Sequence, residues 1–218
     1  MSINLYQRDC LEAMKEMPDN SYELAIVDPP YGIDVANDSR FGNKGSKAAT
    51  KTKDYTKKDW DKGVPTKDYF NQLFRVSRNQ IIWKINYYPF DFLTGGRLFW
   101  SKDVPQNYTK SKGEIAFKSF GHGVDLVNIT WHGMLQYDMK NKEVRIHPTQ
   151  KPIRLYEWIL DKYAKDGDRI LDTHLGSGSI ALACHNRGYS LDAYEIDAEY
   201  YNAAADRLRI HQSQLTIF

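Results

Sequence analysis

The sequence predicts an α/β domain on a mostly parallel sheet, and three observations carry that prediction. An apolar run, Leu24-Ala25-Ile26-Val27, stops at Asp28-Pro29-Pro30-Tyr31, as a short buried strand does at a breaker. Far downstream, Arg169-Ile170-Leu171-Asp172 runs into a glycine turn, a helical segment and a further apolar run ending in acids, the pattern of a parallel β-α-β unit. The 218 residues, 41% apolar and 13% aromatic, suffice for one substantial core. The expectation is one domain over residues 1–218.

Taken in order, residues 4–7 predict a strand, and 11–17 an amphipathic helix that Pro18 ends. Asp9 then stands between strand and helix, as helix N-cap or ligand contact. The Asp28 strand follows. The segment at about 38–66 is rich in lysine with scattered glycine, Tyr55 and Trp60, too polar for a core, and reads as a mobile basic loop. Thr66 caps a helix to Val76 with Tyr69, Phe70, Leu73 and Phe74 on its buried side. Strands are predicted over 80–85, 97–102 and 114–120, while 121–146 shows no clear pattern. A helix with Leu155, Ile159 and Leu160 at helical spacing follows Pro152. The helix after the glycine turn stops at Gly188. A strand over 190–194 leads to Glu195 and Asp197, and a helix over 200–210 closes the pattern.

The near-neutral charge of +2 requires any nucleic-acid affinity to come from local clustering. Cys10 and Cys184 are far apart without a CxxC, and the six histidines lack ligand spacing, which points to a reduced, cytoplasmic setting without a structural metal. No run has the length of a membrane span, and no signal peptide is visible.

Two stretches carry chemistry. Each proline after Asp28 fixes φ and lacks an N–H, so the turn presents a carboxylate, an unpaired Pro29 carbonyl and the Tyr31 ring together. The two oxygens suit the N–H groups of an exocyclic amine, and the ring suits a heterocycle's face. In Gly176-Ser177-Gly178 the glycines let backbone approach a ligand, and Glu195, about 20 residues on, suits ribose hydroxyls. Ala181 completes a Gly-x-Gly-x-x-Ala pattern, so a dinucleotide site is an alternative, although too little chain follows Gly178 to supply the remaining strands.

Taken together, these stretches resemble those of the β-class amino-methyltransferases, which transfer a methyl group from S-adenosyl-L-methionine to exocyclic amines of DNA bases. Asp28-Pro29-Pro30-Tyr31 is similar to their catalytic motif, the stretch from Asp172 to Gly178 to their cofactor motif, and Glu195 to their ribose-binding acid. His147-Pro148-Thr149-Gln150-Lys151-Pro152, Arg8-Asp9-Cys10, Ile81-Ile82-Trp83, Phe99-Trp100-Ser101-Lys102 and Glu114-Ile115-Ala116-Phe117 match as well. The chain departs from the pattern at His174, usually an aromatic, and at Lys84 and Ile85, usually small residues. The resemblance implies a Rossmann-like domain with circularly permuted motif order.

It further implies catalysis by Asp28, Pro29, Pro30 and Tyr31, and a cofactor site of Asp9, Cys10, Asp28, Thr149, Gln150, Lys151, Asp172, Gly176, Ser177, Gly178, Glu195 and Asp197. Asp9 would meet the cofactor's adenine, and Thr149 and Lys151 its methionine end; S-adenosyl-L-homocysteine would be the product. An aspartate opening the catalytic motif resembles the adenine-N6 branch, with cytosine-N4 and RNA amine methylation as alternatives. The target base must leave its duplex, and residues 95–146 would read the site. The short recognition region suggests either a very short target or a homodimer. The terminal Gln214-Leu215-Thr216-Ile217-Phe218 resembles a sliding-clamp docking peptide, with docking on the chain's own domain as the alternative. A nicotinamide dehydrogenase and an inactive nucleic-acid-binding module are rival readings.

Overall fold

The structure is a computed structural model that describes residues 1–32, 63–89 and 94–214. Residues 38–62 of the expected basic loop and the last four of the docking-like peptide lie outside the described residues. Ten strands and five helices are described in chain order: β1 (Ile3–Gln7), α1 (Cys10–Glu16), β2 (Tyr22–Val27), α2 (Lys67–Val76), β3 (Ser77–Trp83), β4 (Gly96–Ser101), β5 (Gly113–Lys118), β6 (Val124–Asn128), β7 (Trp131–His132), β8 (Leu135–Gln136), α3 (Ile153–Tyr163), β9 (Arg169–Asp172), α4 (Ser179–Arg187), β10 (Ser190–Glu195) and α5 (Ala198–Ser213).

Eight strands form one sheet in the order β1-β10-β9-β2-β3-β5-β4-β6, and β7 and β8 form a separate hairpin. β1, β10, β9, β2 and β3 run parallel; β5 is antiparallel to both its neighbours, and β6 is parallel to β4. The sheet is therefore mostly parallel, as the sequence predicts.

Period-two alternation divides the core between the two faces. Leu24, Ile26, Ile81 and Trp83 pack into one layer with α3, α4 and α5, whereas Ala25, Val27 and Ile82 join the other with α1 and α2. Because β2 is buried on both faces, its sequence is a continuous apolar run without alternation.

Three expectations are corrected. The strand predicted over 80–85 starts and stops earlier, as β3, because Lys84 adopts a left-handed conformation at φ 60° and opens a single 3-10 turn, Ile85–Tyr87. The unassigned 121–146 holds β6, β7 and β8, strands too short to announce themselves. The final helix begins at Ala198 because Asp197 caps it, accepting from the backbone N–H of Glu199 and Tyr200. Among the described residues no helix is long and apolar enough to cross a membrane, and no group of three His, Cys, Asp or Glu is placed to hold a metal.

Candidate active site

Topology brings the chemistry to one edge of the sheet. Parallel β1, β2, β3, β9 and β10 end there, which places Asp9, Asp28, Lys84, Asp172 and Glu195 along the edge where open α/β sheets hold ligands. The antiparallel β5 begins there, so Glu114 joins them, and β4, antiparallel to β5, delivers Lys102.

A cleft of about 290 Å³ opens at this edge, lined by Asp28, Pro29, Pro30 and Tyr31 on one side and by Leu175, Gly176, Ser177, Glu195 and Ile196 on the other. Its size lies at the lower end for small-molecule sites. Thr149, Gln150 and Lys151, from the segment ahead of α3, complete it together with His147, Tyr156, His174 and Tyr200.

The acid-and-proline turn is more heavily bonded than its sequence suggested. Tyr31 donates its hydroxyl to Asp28 Oδ1, and Lys151 donates its ammonium to Asp28 Oδ2. The Pro29 carbonyl is not unpaired: it accepts from the Tyr88 hydroxyl at 2.9 Å. A carboxylate offers about four lone-pair sites and a carbonyl two, so both retain capacity for an amine. The Tyr31 ring is only 4% exposed, with Lys84 Nζ 4.9 Å from its centroid and the Tyr87 ring 5.6 Å away. A heterocycle stacking on Tyr31 would have to shift these neighbours.

Lys151 is the most buried cation of the site, its side chain 2% exposed. Besides Asp28 it lies 3.3 Å from Glu114, whose carboxylate also pairs with Lys102 at 2.6 Å and Lys84 at 3.6 Å. Burial alone would push the Glu114 carboxyl up, but Lys151, Lys102 and Lys84 outweigh it and hold the group well below the usual range. Burial likewise pulls Lys151 down, and Asp28 and Glu114 reverse the effect, leaving it raised.

On the other wall, Gly176 has φ +50° and donates its N–H to Glu195 Oε2 at 2.8 Å, while Oε1 accepts from Asp197 N at 2.9 Å. Burial raises the Glu195 carboxyl. The glycine turn and the acid are thus locked to each other, with Ile196 beside them 62% exposed at the rim.

A family model described as DNA methylase, of the N6/N4 methyltransferase type, matches residues 51–206. The chain belongs to this N6/N4 DNA methylase family. It is 32% identical over 105 residues to the type II methyltransferase M.HpaI of Haemophilus parainfluenzae, an alignment covering 48% of the chain but only 31% of that relative. It is 24% identical to M1.MboII of Moraxella bovis, covering 94% of the chain and 96% of the relative. Among solved structures, the M1.HpyAVI complex with SAM matches with a TM-score of 0.59 at 20% identity, covering 94% of the chain and all of that structure. The cytosine-N4-specific PvuII DNA methyltransferase matches with 0.60 at 12% identity, covering 100% of the chain and 89% of that structure. At these identities the two structures establish the fold.

Of the residues predicted for the methylase site, Asp28, Pro29, Pro30, Tyr31, Thr149, Gln150, Lys151, Gly176, Ser177 and Glu195 line the cleft. Five do not. Asp9 caps α1 by accepting from Glu12 N at 3.0 Å. Cys10 packs its sulfur 3.9 Å from His174 Nε2, its thiol pushed up to about 12 by burial and then by Asp9. Asp172 is buried, accepts from His174 N at 3.0 Å and is raised to about 8, chiefly by burial. Gly178 caps α4 and faces Ala204 of α5, and Asp197 caps α5. These five hold the strand ends and turns that shape the cleft.

Gln150 lines the cleft, but its side chain is spent on its own segment, accepting from Ile146 N at 3.0 Å and donating to Val144 O at 3.3 Å. Lys151 meets Asp28, so it is not free for the methionine end as the resemblance implied. His174 departs from the aromatic pattern less than its name suggests. Burial lowers it to about 4, so it is a neutral ring, set edge-on to Tyr69 at 5.5 Å.

Sequence reasoning missed Glu114 as a site member, although Glu114-Ile115-Ala116-Phe117 was recognised as a strand. It missed His147, Tyr156, Ile196 and Tyr200 as well. The acid at the head of a strand destined for burial was the available signal for Glu114, because a buried carboxylate requires cations.

Proposed function

We propose that this chain is an S-adenosyl-L-methionine-dependent DNA methyltransferase acting on the N6 amine of a flipped-out adenine. The carrying observation is that the amine-accepting oxygens of Asp28 and Pro29 and the glycine turn with Glu195 face one cleft. Donor and acceptor can therefore meet without a large rearrangement. The family membership supports a DNA substrate, and the aspartate at the head of the motif supports adenine over cytosine.

The residues present fit the cofactor. Glu195 offers carboxylate oxygens for paired hydroxyls, Gly176 presents backbone without a side chain, and Ile196, Leu175 and Tyr200 give an apolar wall for a heterocycle. S-adenosyl-L-methionine supplies an electrophilic methyl on a sulfonium. On the acceptor side the chain does the rest. The adenine amine is a weak nucleophile because its lone pair is delocalised into the ring. Accepting its two N–H groups at Asp28 and the Pro29 carbonyl draws the nitrogen towards tetrahedral geometry, and the carboxylate stabilises positive charge as it develops there. Tyr31 and Tyr88 fix those two oxygens in advance, which is preorganisation rather than proton transfer.

Extruding the base costs a few kcal/mol. Residues 95–146 and the basic segment at about 38–66 supply the DNA contacts in this reading, with lysines neutralising phosphates. Incubating the chain with labelled S-adenosyl-L-methionine and unmethylated DNA, RNA or nucleotides, then hydrolysing the product, tests the proposal. Labelled N6-methyladenine from DNA is expected; N4-methylcytosine, or label in RNA alone, would replace it. In the same assay Asp28→Ala should bind cofactor by calorimetry and transfer no methyl.

A further inference from the structure

Lys151 occupies the position that the proposed reaction needs. Its ammonium donates to Asp28 Oδ2, lies 3.5 Å from the Tyr31 hydroxyl that bonds the other carboxylate oxygen, and is 5.2 Å from the Trp83 ring centroid. An incoming amine would seek the same carboxylate. We propose that Lys151 holds Asp28 in the place of the target amine before DNA binds, and that Glu114 is the positioning residue that receives the ammonium when the amine arrives. The inference rests on the methyl-transfer reading above.

The distances show where the ammonium can go. Its contact with Asp28 is short, whereas its contact with Glu114 Oε2 is 3.3 Å, longer than the roughly 2.7–2.9 Å of a relaxed charge-assisted bond. A shift of about half an ångström would let one bond tighten as the other loosens. Among the described residues Glu114 Oε2 has no closer hydrogen-bond partner, because Lys102 and Lys84 both approach Oε1. Those two lysines keep Glu114 anchored and ionised whether or not Lys151 is near. No charge leaves the buried cluster in the exchange, so the desolvation cost of separating an ion pair is avoided.

Glu114 reaches this position through the fold. β5 runs antiparallel to β3, with Trp83 opposite Ala116, and Lys84 N donates to Ile115 O at 2.8 Å. The first residues of β5 are thereby pinned beside the end of β3, one strand away from Asp28.

The test uses the full chain, labelled S-adenosyl-L-methionine and unmethylated genomic DNA. Glu114→Gln should lower kcat/KM by roughly tenfold or more, because the ammonium then has only Asp28 to pair with. Adding Lys151→Met to that variant should recover most of the loss, since the competitor is gone. A merely structural pair would give losses that add, so a double variant no faster than Glu114→Gln overturns the proposal. Lys151→Arg supplies an independent arm that does not require Glu114→Gln to fold. A guanidinium grips a carboxylate in bidentate fashion, so turnover should fall by roughly tenfold or more while calorimetry shows unchanged cofactor affinity. Turnover at the unaltered rate would overturn the proposal. Failure of the unaltered chain to transfer methyl would instead overturn the functional reading, and this inference with it.

Discussion

The Tyr88 hydroxyl donates to the Pro29 carbonyl at 2.9 Å from a ring only 6% exposed. The bond aims one of the two oxygens that receive the amine, so Tyr88→Phe should affect both stability and chemistry. A buried hydrogen bond contributes about 1 kcal/mol, and thermal melting should register that loss. The fall in kcat should exceed what the melt explains, with cofactor affinity by calorimetry unchanged. Unaltered kcat would mean that Pro29 is held by its ring alone.

Gly178 sits at φ +72°, and a Cβ there would lie 3.0 Å from the Cβ of Ala204. Both observations oppose a side chain. Gly178→Ala should lose about 1–2 kcal/mol to left-handed backbone strain alone, with further loss as α4 and α5 move apart. At about 2–4 °C per kcal/mol for a chain of this size, differential scanning fluorimetry will resolve it. At Gly188, where φ is +78°, a Cβ would meet no atom within 4 Å among the described residues, so Gly188→Ala should show the strain and no packing penalty.

Glu195 uses both oxygens on backbone N–H groups, those of Gly176 and Asp197. A glutamine can accept with one atom only. Glu195→Gln should therefore release one side of the turn and weaken S-adenosyl-L-methionine binding by roughly tenfold or more, measured by calorimetry. Methyl transfer at saturating cofactor should suffer less.

Acid should destabilise the protein through His147. Burial, with Lys151 adding to it, lowers this imidazole to about 3. The unfolded chain takes up its proton near pH about 6.5, so between those values the unfolded state binds more protons and stability is lost as pH falls. Asp172, raised to about 8 by burial, works in the opposite sense: its unfolded carboxyl ionises near pH about 4, and stability declines as pH rises towards 8. The histidine contribution is therefore read as a difference. Melts of the unaltered chain and of His147→Asn at about pH 7, 6 and 5 should converge as the pH falls.

The strands around the site were legible because they are buried on both faces and bounded by breakers. Leu24 to Val27 and Ile170 to Leu171 leave little choice of conformation once Pro29, Pro30 and Gly176 are read as punctuation. Caps were legible too, as at Thr66 and Gly188. What could not be read was how the neighbours share the polar groups. Asp9 and Asp197 have the same composition and placement as ligand residues, and only geometry shows that they cap helices. Glu114 and Lys151 are separated in sequence by a hairpin and a loop, and their pairing depends on the antiparallel entry of β5, which no local pattern encodes. The segment 121–146 escaped because strands of two to five residues carry too few side chains to establish a period.

The position of β9, between β10 and β2, has a consequence for biosynthesis. Glu23 and the Arg169 backbone N–H that it receives are 146 residues apart, and at about 5–20 residues per second a ribosome needs roughly ten seconds or more to bring the second after the first. During that interval one flank of β2 is bare, apolar and able to pair with any passing strand. Yield in a foreign host should thus depend on translation speed and on chaperones that shield nascent chains, more than on the stability of the finished sheet.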